Sequence, residues 1–376
     1  MVDLIFLILC SLSFVNLIIK DLNSFFYDYM DLKATNQIRG ILVWMIFFRH
    51  CISYFPKNIK RNKISILIDK SFGQNIVSPF LFYSGYGINE SFLKKGNQYI
   101  KTLPIKSIII FIKSQIILLA FLFDNILLGN KISFKIYLKA IIFKNGLGNS
   151  YWFAFAIILL YIYSYLSFIL ISNKKLNIIG IIFITIFCYF HIIIVYKFYH
   201  KVIYSVDTII CFILGFYYSL LKSNLDRIIM KNDQIYFGIM ILLVLFYYNL
   251  YNINNKNIYN ESLKNCFFIL ILVLMTIKIK FNNPFLTLLN NHSYSIYLLQ
   301  RLVMRHIHKK RYFKNHEFIS FFLQFLLVIF MAIIFDKYTF FINSLLQTKE
   351  KQNKNLIKVI KPSRNPLIND ESYLIK

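Results

Sequence analysis

Long apolar segments, separated by short patches rich in Lys and Asn, dominate this sequence. Most of them have about 18 to 25 residues, the length that an α-helix needs to cross about 30 Å of hydrocarbon. Of the 376 residues, 58% are hydrophobic and only 16% are charged, whereas soluble domains carry roughly 25% charge. The sequence therefore predicts an all-α, polytopic integral membrane protein with about 10 to 11 transmembrane helices in a single bundle.

The apolar segments divide the chain into three parts. Residues 1–36 are predicted to hold an extra N-terminal transmembrane helix and a loop, residues 37–345 the main membrane domain, and residues 346–376 a basic, polar tail. The first span has no basic residues before it and no small-residue cleavage site after it, so we interpret it as an anchor. The tail is expected to be disordered because it has little apolar surface to bury. The predicted spans are 4–19, 40–56, 74–92, 107–129, 151–172, 177–196, 203–221, 235–251, 265–280, 286–304 and 317–345.

Lys and Arg residues are spread over nearly every loop, although the net charge is +27. Nucleic-acid-binding proteins gather their basic residues on one face, so we expect the lipid bilayer and not nucleic acid as a partner. Basic residues are similarly numerous on the two sides of the bundle, so they do not orient it. Five single cysteines without paired or metal-ligand spacing predict neither a disulfide nor a metal site. They are Cys10, Cys51, Cys188, Cys211 and Cys266.

Arg39 and His50 are the most informative polar residues, because both lie in the apolar stretch 37–56. An ionisable group in lipid costs about 2 to 4 kcal/mol or more and is usually kept for function. Eleven helical residues turn through about 1100°, close to three full turns, which predicts that both side chains share one helix face about 16 Å apart. Arg39 could bind an anion near the membrane surface, and a deeper His50 could accept a proton. Alternatively, Arg39 extends to the surface and His50 only hydrogen-bonds to a neighbouring helix.

Five segments resemble the membrane-bound acyltransferase-3 family, in the order that the family has them. The first is Arg39–Val43 followed by His50, which is similar to the family's Arg-Gly helix that ends in a histidine. The later segments are similar to its Ser-Gly stretch, its Trp-Phe helix start, its Phe-x-x-Gly helix and its late Ser-Tyr-x-x-Tyr-Leu stretch. They are PFLFYSGYGI (79–88), Trp152 and Phe153, CFILGFYYSLL (211–221) and HSYSIYLLQRLVM (292–304).

The chain departs from the family pattern at two places. Gln300 stands where the family usually has a histidine, so we carry over no role to this position. The family's core resembles a ten-helix bundle that starts with the Arg helix, whereas one further apolar span precedes that helix here. If this span crosses the membrane, the N-terminus lies on the face opposite the family's cytoplasmic one.

The resemblance implies an acyltransferase that transfers groups other than aminoacyl groups, of the O-acetyltransferase type. Its expected co-substrate is cytosolic acyl-CoA, most often acetyl-CoA, with no bound cofactor. The expected acceptor is a hydroxyl of a cell-surface polysaccharide or a lipid-linked saccharide. The expected location is the cytoplasmic membrane, as a multi-pass protein.

Seven residues are the predicted site. His50 is the expected general base that deprotonates the acceptor hydroxyl, and Arg39 is expected to bind the phosphates of the carrier. An acyl-histidine intermediate is the alternative to direct transfer. Ser84, Gly85, Trp152, Tyr294 and Tyr297 are the expected substrate-binding residues, with Ser84 and the two tyrosines as candidate oxyanion donors.

Three of these assignments have structural alternatives. Small residues such as Ser84 and Gly85 also allow close helix packing, and Trp152 can be an anchor at the membrane interface. Asp207 could form an ion pair with Arg39 or Arg49.

Two other classes of membrane protein compete with the enzyme hypothesis. A saccharide or lipid flippase would use Arg39 and His50 to line a transport path without chemistry, but it should also show broken helices and repeated halves. A purely structural role would not explain the spacing of Arg39 and His50. The sequence therefore favours the acyltransferase.

Overall fold

The computed structural model describes residues 2–55, 66, 73–171, 173–198, 206–253, 257–307 and 316–360, without the side chains of 196–198 and 342–360. Of the described residues, 80% are helical. Two 3₁₀ turns, Gln74–Ile76 and Lys174–Leu176, and two short strands, β1 (Leu17–Ile19) and β2 (Ile279–Phe281), join the helices. The helices are α1 (Val2–Ser13), α2 (Leu32–Ile52), α3 (Ser78–Lys95), α4 (Asn97–Ile100), α5 (Leu103–Leu127), α6 (Phe134–Ile141), α7 (Tyr151–Phe168), α8 (Asn177–Phe198), α9 (Ile209–Ile229), α10 (Asp233–Asn252), α11 (Ile258–Lys278), α12 (Pro284–Asn291), α13 (Ser293–Ile307) and α14 (Glu317–Ile360).

The predicted all-α membrane bundle is confirmed. Among the described residues, six helical stretches are long and apolar enough to cross a membrane. Helices α2, α3 and α9 have 21, 18 and 21 residues but are not among these six. The six stretches are Asn97–Leu127, Tyr151–Phe168, Lys174–Val195, Asp233–Asn252, Ile258–Lys278 and Glu317–Phe341.

Helix α2 is a central helix, whereas α10 lies at the outside of the bundle. Thirteen of the 21 residues of α2 are buried, but only two of the 20 residues of α10 are. Large apolar side chains of α10, such as Phe237, Ile241 and Leu245, are exposed. A bilayer solvates apolar side chains, so the least polar helices can face it while helices with charged residues occupy the interior.

The N-terminal helix α1 is shorter than the predicted span 4–19. It has 12 residues and is therefore about 18 Å long, compared with about 30 Å of hydrocarbon. Asn16 then adopts a left-handed conformation with φ 58°, and β1 follows. Strand β1 pairs antiparallel with β2, and Ile18 lies opposite Lys280. This pairing places the segment after α1 next to the end of α11.

An ion pair to Asp28 and a hydrogen bond to Asp21 hold the segment between β1 and α2 against the end of α11 and β2. Lys280 forms an ion pair with Asp28, and this contact lowers the pKa of the Asp28 carboxyl below its ordinary value. Lys278 pairs with Asp233 at 2.6 Å and donates to the carbonyl oxygen of Asp21 at 3.0 Å. The segment between β1 and α2 is therefore held in place next to the N-terminus of α2.

The span predicted at 286–304 is two helices, α12 and α13, with the break at His292. Asn283 caps α12 by accepting a hydrogen bond from the Phe285 amide at 2.9 Å. Helix α12 then packs on α2 so closely that a Cβ on Gly40 would overlap the Leu286 backbone. The glycine after Arg39 thus allows the contact between these two helices.

The chain divides into two compact units, Met1–Ile333 and Ile334–Lys376. The second unit continues as helix to Ile360, so residues 346–360 of the tail that we expected to be disordered are helical. This segment contains several Lys, Gln and Leu residues, which have high helix propensity. Residues 361–376 lie outside the described part of the chain.

Helices α3 and α9 form the most extensive helix pair of the described structure. Their backbones touch at two glycines, because a Cβ on Gly85 would overlap the Phe212 carbonyl and one on Gly215 would overlap the Phe82 carbonyl. Asn89 donates to Ser219 at 3.0 Å further along the same interface. The pair is therefore held by close backbone contact and a buried polar contact.

We expect Gly85→Ala to destabilise the protein by about 1 to 3 kcal/mol, because the added methyl group forces α3 and α9 apart. Thermal unfolding of the purified protein in detergent measures this. The matched control is Gly87→Ala on the same helix, where a Cβ meets nothing within 4 Å. Equal melting temperatures for the two variants would contradict the packing role of Gly85.

Candidate active site

Helix α2 carries Arg39, Val43, Ile46 and His50 at spacings of four, three and four residues, so they form one stripe along the helix. Arg39 and His50 are both partly buried and lie at the two ends of this stripe. At 1.5 Å per residue, they are separated by about 16 Å along the axis. The side chains between them are apolar.

A cavity of about 60 Å³ lies beside the middle of this stripe. Residues of α2, α3, α7 and α13, together with Val77, form its wall. Most of the wall is apolar, and the polar groups come from α13. The described lining residues are Val43, Ile46, Val77, Phe80, Phe153, Ser293, Tyr294, Ile296, Tyr297 and Gln300.

At one end of the stripe, Arg39 is enclosed by tyrosines. Its guanidinium lies 5.4 Å from the centre of the Tyr83 ring, and Tyr161 is a second electrostatic neighbour. Its buried Nε has no hydrogen-bond partner, and no described carboxylate pairs with Arg39. A buried cation without a counter-ion is costly, which makes Arg39 a candidate binding site for an anionic ligand.

At the other end of the stripe, His50 is surrounded by positive charge. Arg49 and Arg301 are its charged neighbours. Arg301 lies one turn after Tyr297 on α13, so it extends from the cavity wall toward His50. Among the described residues, the His50 imidazole has no hydrogen-bond partner, which leaves both ring nitrogens available to a ligand.

The two tyrosines of α13 line the same cavity, but their hydroxyl groups differ. The Tyr294 hydroxyl contacts the Ser114 hydroxyl at 2.7 Å and donates to the Ile110 carbonyl at 3.4 Å, which joins α13 to α5. The Tyr297 hydroxyl lies near Ser150 and within the field of Arg301. Tyr297 is therefore the better placed of the two to donate to a ligand in the cavity.

The other predicted substrate-binding residues are not among the described lining residues of the cavity. Ser84 donates to the Phe80 carbonyl at 2.8 Å and lies beside the Tyr161 hydroxyl, close to Arg39. Gly85 lies in the contact of α3 with α9. Trp152 contacts Phe153 edge-on, with ring centres 5.9 Å apart, and the neighbouring Phe153 forms the wall instead.

Two features of the interior were not found from the sequence. Phe153 packs on Tyr297 with ring centres 5.4 Å apart and closes the cavity on the α7 side. Gln300, to which the sequence assigned no role, is fully buried in the cavity wall. The Tyr-Leu-x pattern marked its position, but the direction of its side chain depends on how α13 packs.

Asp207 pairs with neither Arg39 nor Arg49, contrary to the ion pair considered from the sequence. It is 1% exposed, and its neighbours are Glu261, Lys264 and Asn265. These residues belong to α11, which packs on the start of α9 and not on the stripe of α2. Asp207 thus belongs to a different part of the bundle.

The comparison with known families decides the classification. A family model described as an acyltransferase domain matches residues 32–335, which is more than half of the chain. This chain belongs to the acyltransferase-3 family. It is a multi-pass membrane acyltransferase. No curated protein and no solved structure gives a match. The matched residues include the whole stripe of α2 and every described residue of the cavity wall.

We expect Tyr294→Phe and Tyr297→Phe to affect this acyltransferase differently. Loss of the Tyr294 hydroxyl removes its contact with Ser114 and should lower the free energy of unfolding by about 1 kcal/mol. Tyr297→Phe should leave unfolding unchanged and slow acyl transfer. Thermal unfolding and transfer rates of the two purified variants test this, and a rate loss confined to Tyr294→Phe would contradict it.

Proposed function

We propose that this acyltransferase moves a short acyl group, most often acetyl, from cytosolic acyl-CoA to a hydroxyl of a cell-surface polysaccharide or lipid-linked saccharide. The cytoplasmic membrane is the proposed location. The observation that carries the proposal is the stripe of α2, with an unpaired cation at one end, an unpartnered imidazole at the other and a cavity between them.

Charge supports a donor that carries phosphates. Arg39 has no counter-ion among the described residues, and a guanidinium binds phosphate oxygens with charge-assisted hydrogen bonds. The thin pantetheine arm of acyl-CoA could follow the apolar stripe past Val43 and Ile46 toward His50. No cofactor besides this co-substrate is needed for the reaction.

The size and polarity of the cavity support a short acyl group. A volume of about 60 Å³ suits the compact end of the donor, an acetyl thioester with the adjoining part of the pantetheine arm, better than a long acyl chain. The wall consists mainly of Val, Ile and Phe side chains, which suit a methyl group and exclude water from the thioester.

The proposed reaction is a direct acyl transfer. Neutral His50 accepts the proton of the acceptor hydroxyl as the oxygen attacks the thioester carbonyl, and a general base of this kind contributes about 10² to 10⁴-fold. The Tyr297 hydroxyl donates to the developing oxyanion. The carbon–sulfur bond then breaks, and protonated His50 returns the proton to the leaving thiolate. The products are the acyl ester and free CoA.

We expect His50→Gln to lower the rate of transfer by about 10²-fold or more, because the amide cannot accept the hydroxyl proton. Mass spectrometry of surface glycans from cells with matched protein levels would detect the missing acyl groups. The control is His191→Gln, since His191 is buried in α8 and contacts the Tyr163 hydroxyl at 3.1 Å, away from the cavity. Glycan that is acylated equally in cells with and without the gene would contradict the proposal. Glycan absent from the surface of those cells would point to transport.

We expect Arg39→Met to weaken use of the donor more than use of the acceptor. The substitution keeps a long side chain against Tyr83 but removes the charge that would bind phosphate, so KM for acyl-CoA should rise by about tenfold or more. Arg39→Lys should have a smaller effect because it keeps the charge. Steady-state kinetics of the purified variants measure both constants, and an unchanged KM for acyl-CoA in Arg39→Met would contradict the assignment.

A further inference from the structure

Gln300 lines the cavity and has a hydrogen-bond acceptor without a partner. Its side chain is fully buried, and its Nε2 donates to the carbonyl oxygen of Tyr297, one turn earlier on α13, at 3.1 Å. Its Oε1 is buried and has no hydrogen-bond partner. Because Gln300 also lines the cavity, this oxygen is the acceptor that a bound ligand would meet there.

An unpaired buried carbonyl is costly, by about 1 to 3 kcal/mol. A Met or Leu side chain would fill the same place without this cost. A ligand that donates a hydrogen bond to the oxygen would explain why a glutamine stands there. The other polar groups of the wall have different properties. The Tyr294 hydroxyl is held by Ser114, and the Tyr297 hydroxyl lies near Ser150. The cavity therefore suits an apolar ligand segment that carries one N–H or O–H group.

The donor of the proposed reaction contains one such segment near its reactive end. The last unit of the pantetheine arm has a secondary amide, followed by two methylene groups and the thioester sulfur. Its N–H is a donor, its methylene groups suit walls of Val and Ile, and neither the acetyl group nor the phosphates carry a donor N–H. An amide two carbons from the sulfur also determines how far the thioester carbonyl enters the cavity.

We infer that Gln300 is a positioning residue whose Oε1 accepts a hydrogen bond from this terminal amide N–H of the acyl donor. The contact sets the depth of the thioester relative to His50 and selects thioesters with a pantetheine arm over simpler ones. This inference rests on the proposed function, since it requires an acyl-CoA donor.

The test combines a change in the protein with a change in the ligand. Acyl transfer is measured with acetyl-CoA and with an analogue in which the terminal amide N–H is replaced by CH₂, for the wild type and for Gln300→Leu. In the wild type, kcat/KM should be about tenfold lower for the analogue. Gln300→Leu should show about the same loss with acetyl-CoA and no further loss with the analogue, while KM for the acceptor stays unchanged.

Two further variants separate hydrogen bonding from packing. Gln300→Glu keeps an acceptor oxygen and should retain the preference for acetyl-CoA over the analogue. Gln324→Leu is the matched control, since Gln324 is also fully buried and hydrogen-bonds to Ser320 at 2.7 Å, but it is not among the described residues of the cavity wall. Its loss should be equal for the two donors.

The outcomes are distinct. Losses from Gln300→Leu and from the analogue that multiply would overturn the inference, because they would show that the two groups act independently. A loss from Gln300→Leu that falls on KM for the acceptor would also overturn it and would assign the oxygen to the acceptor hydroxyl. A wild-type protein that transfers from neither donor would instead overturn the proposed function itself.

Discussion

Close contact between helix backbones is the constraint on which the rest of this structure depends. Lipid tails are as apolar as Leu side chains, so helices in a bilayer are held together by tight packing and polar contacts more than by the hydrophobic effect. Gly85 and Gly215 let α3 and α9 meet backbone to backbone, and Gly40 does the same for α2 and α12. These contacts determine which face of α2 is covered and which face remains beside the cavity.

The break between α12 and α13 has a direct consequence for the candidate active site. Helix α12 lies against the Gly40 side of α2, while α13 contributes Tyr294, Tyr297 and Gln300 to the cavity. A single straight helix would contact α2 along one line, so it could not both pack against Gly40 and line the cavity. The break thus separates a packing role from a role in the site.

The polar residues of the interior are costly for stability, which is why their arrangement is informative. Arg39 and Gln300 each keep a buried polar atom without a hydrogen-bond partner, whereas the Tyr294 hydroxyl contacts the Ser114 hydroxyl of a neighbouring helix. Paired groups can be explained by packing alone. The two unpaired atoms of Arg39 and Gln300 lie beside the stripe and the cavity, where the proposed acyl donor would bind.

Much of the fold and part of the site could be predicted from the sequence. The length of the apolar segments determined a helical membrane bundle, because backbone groups in lipid must be paired within helices. The spacing of Arg39 and His50 determined that they share one face of α2, because helix geometry fixes the angle between residues. The length of α1, the positions of Phe153 and Gln300 in the cavity wall and the close contact of Gly85 with α9 were decided only by the tertiary structure. Periodicity gives the face of a helix, but the neighbour that this face meets depends on how closely the backbones approach one another, and that is a property of the assembled bundle.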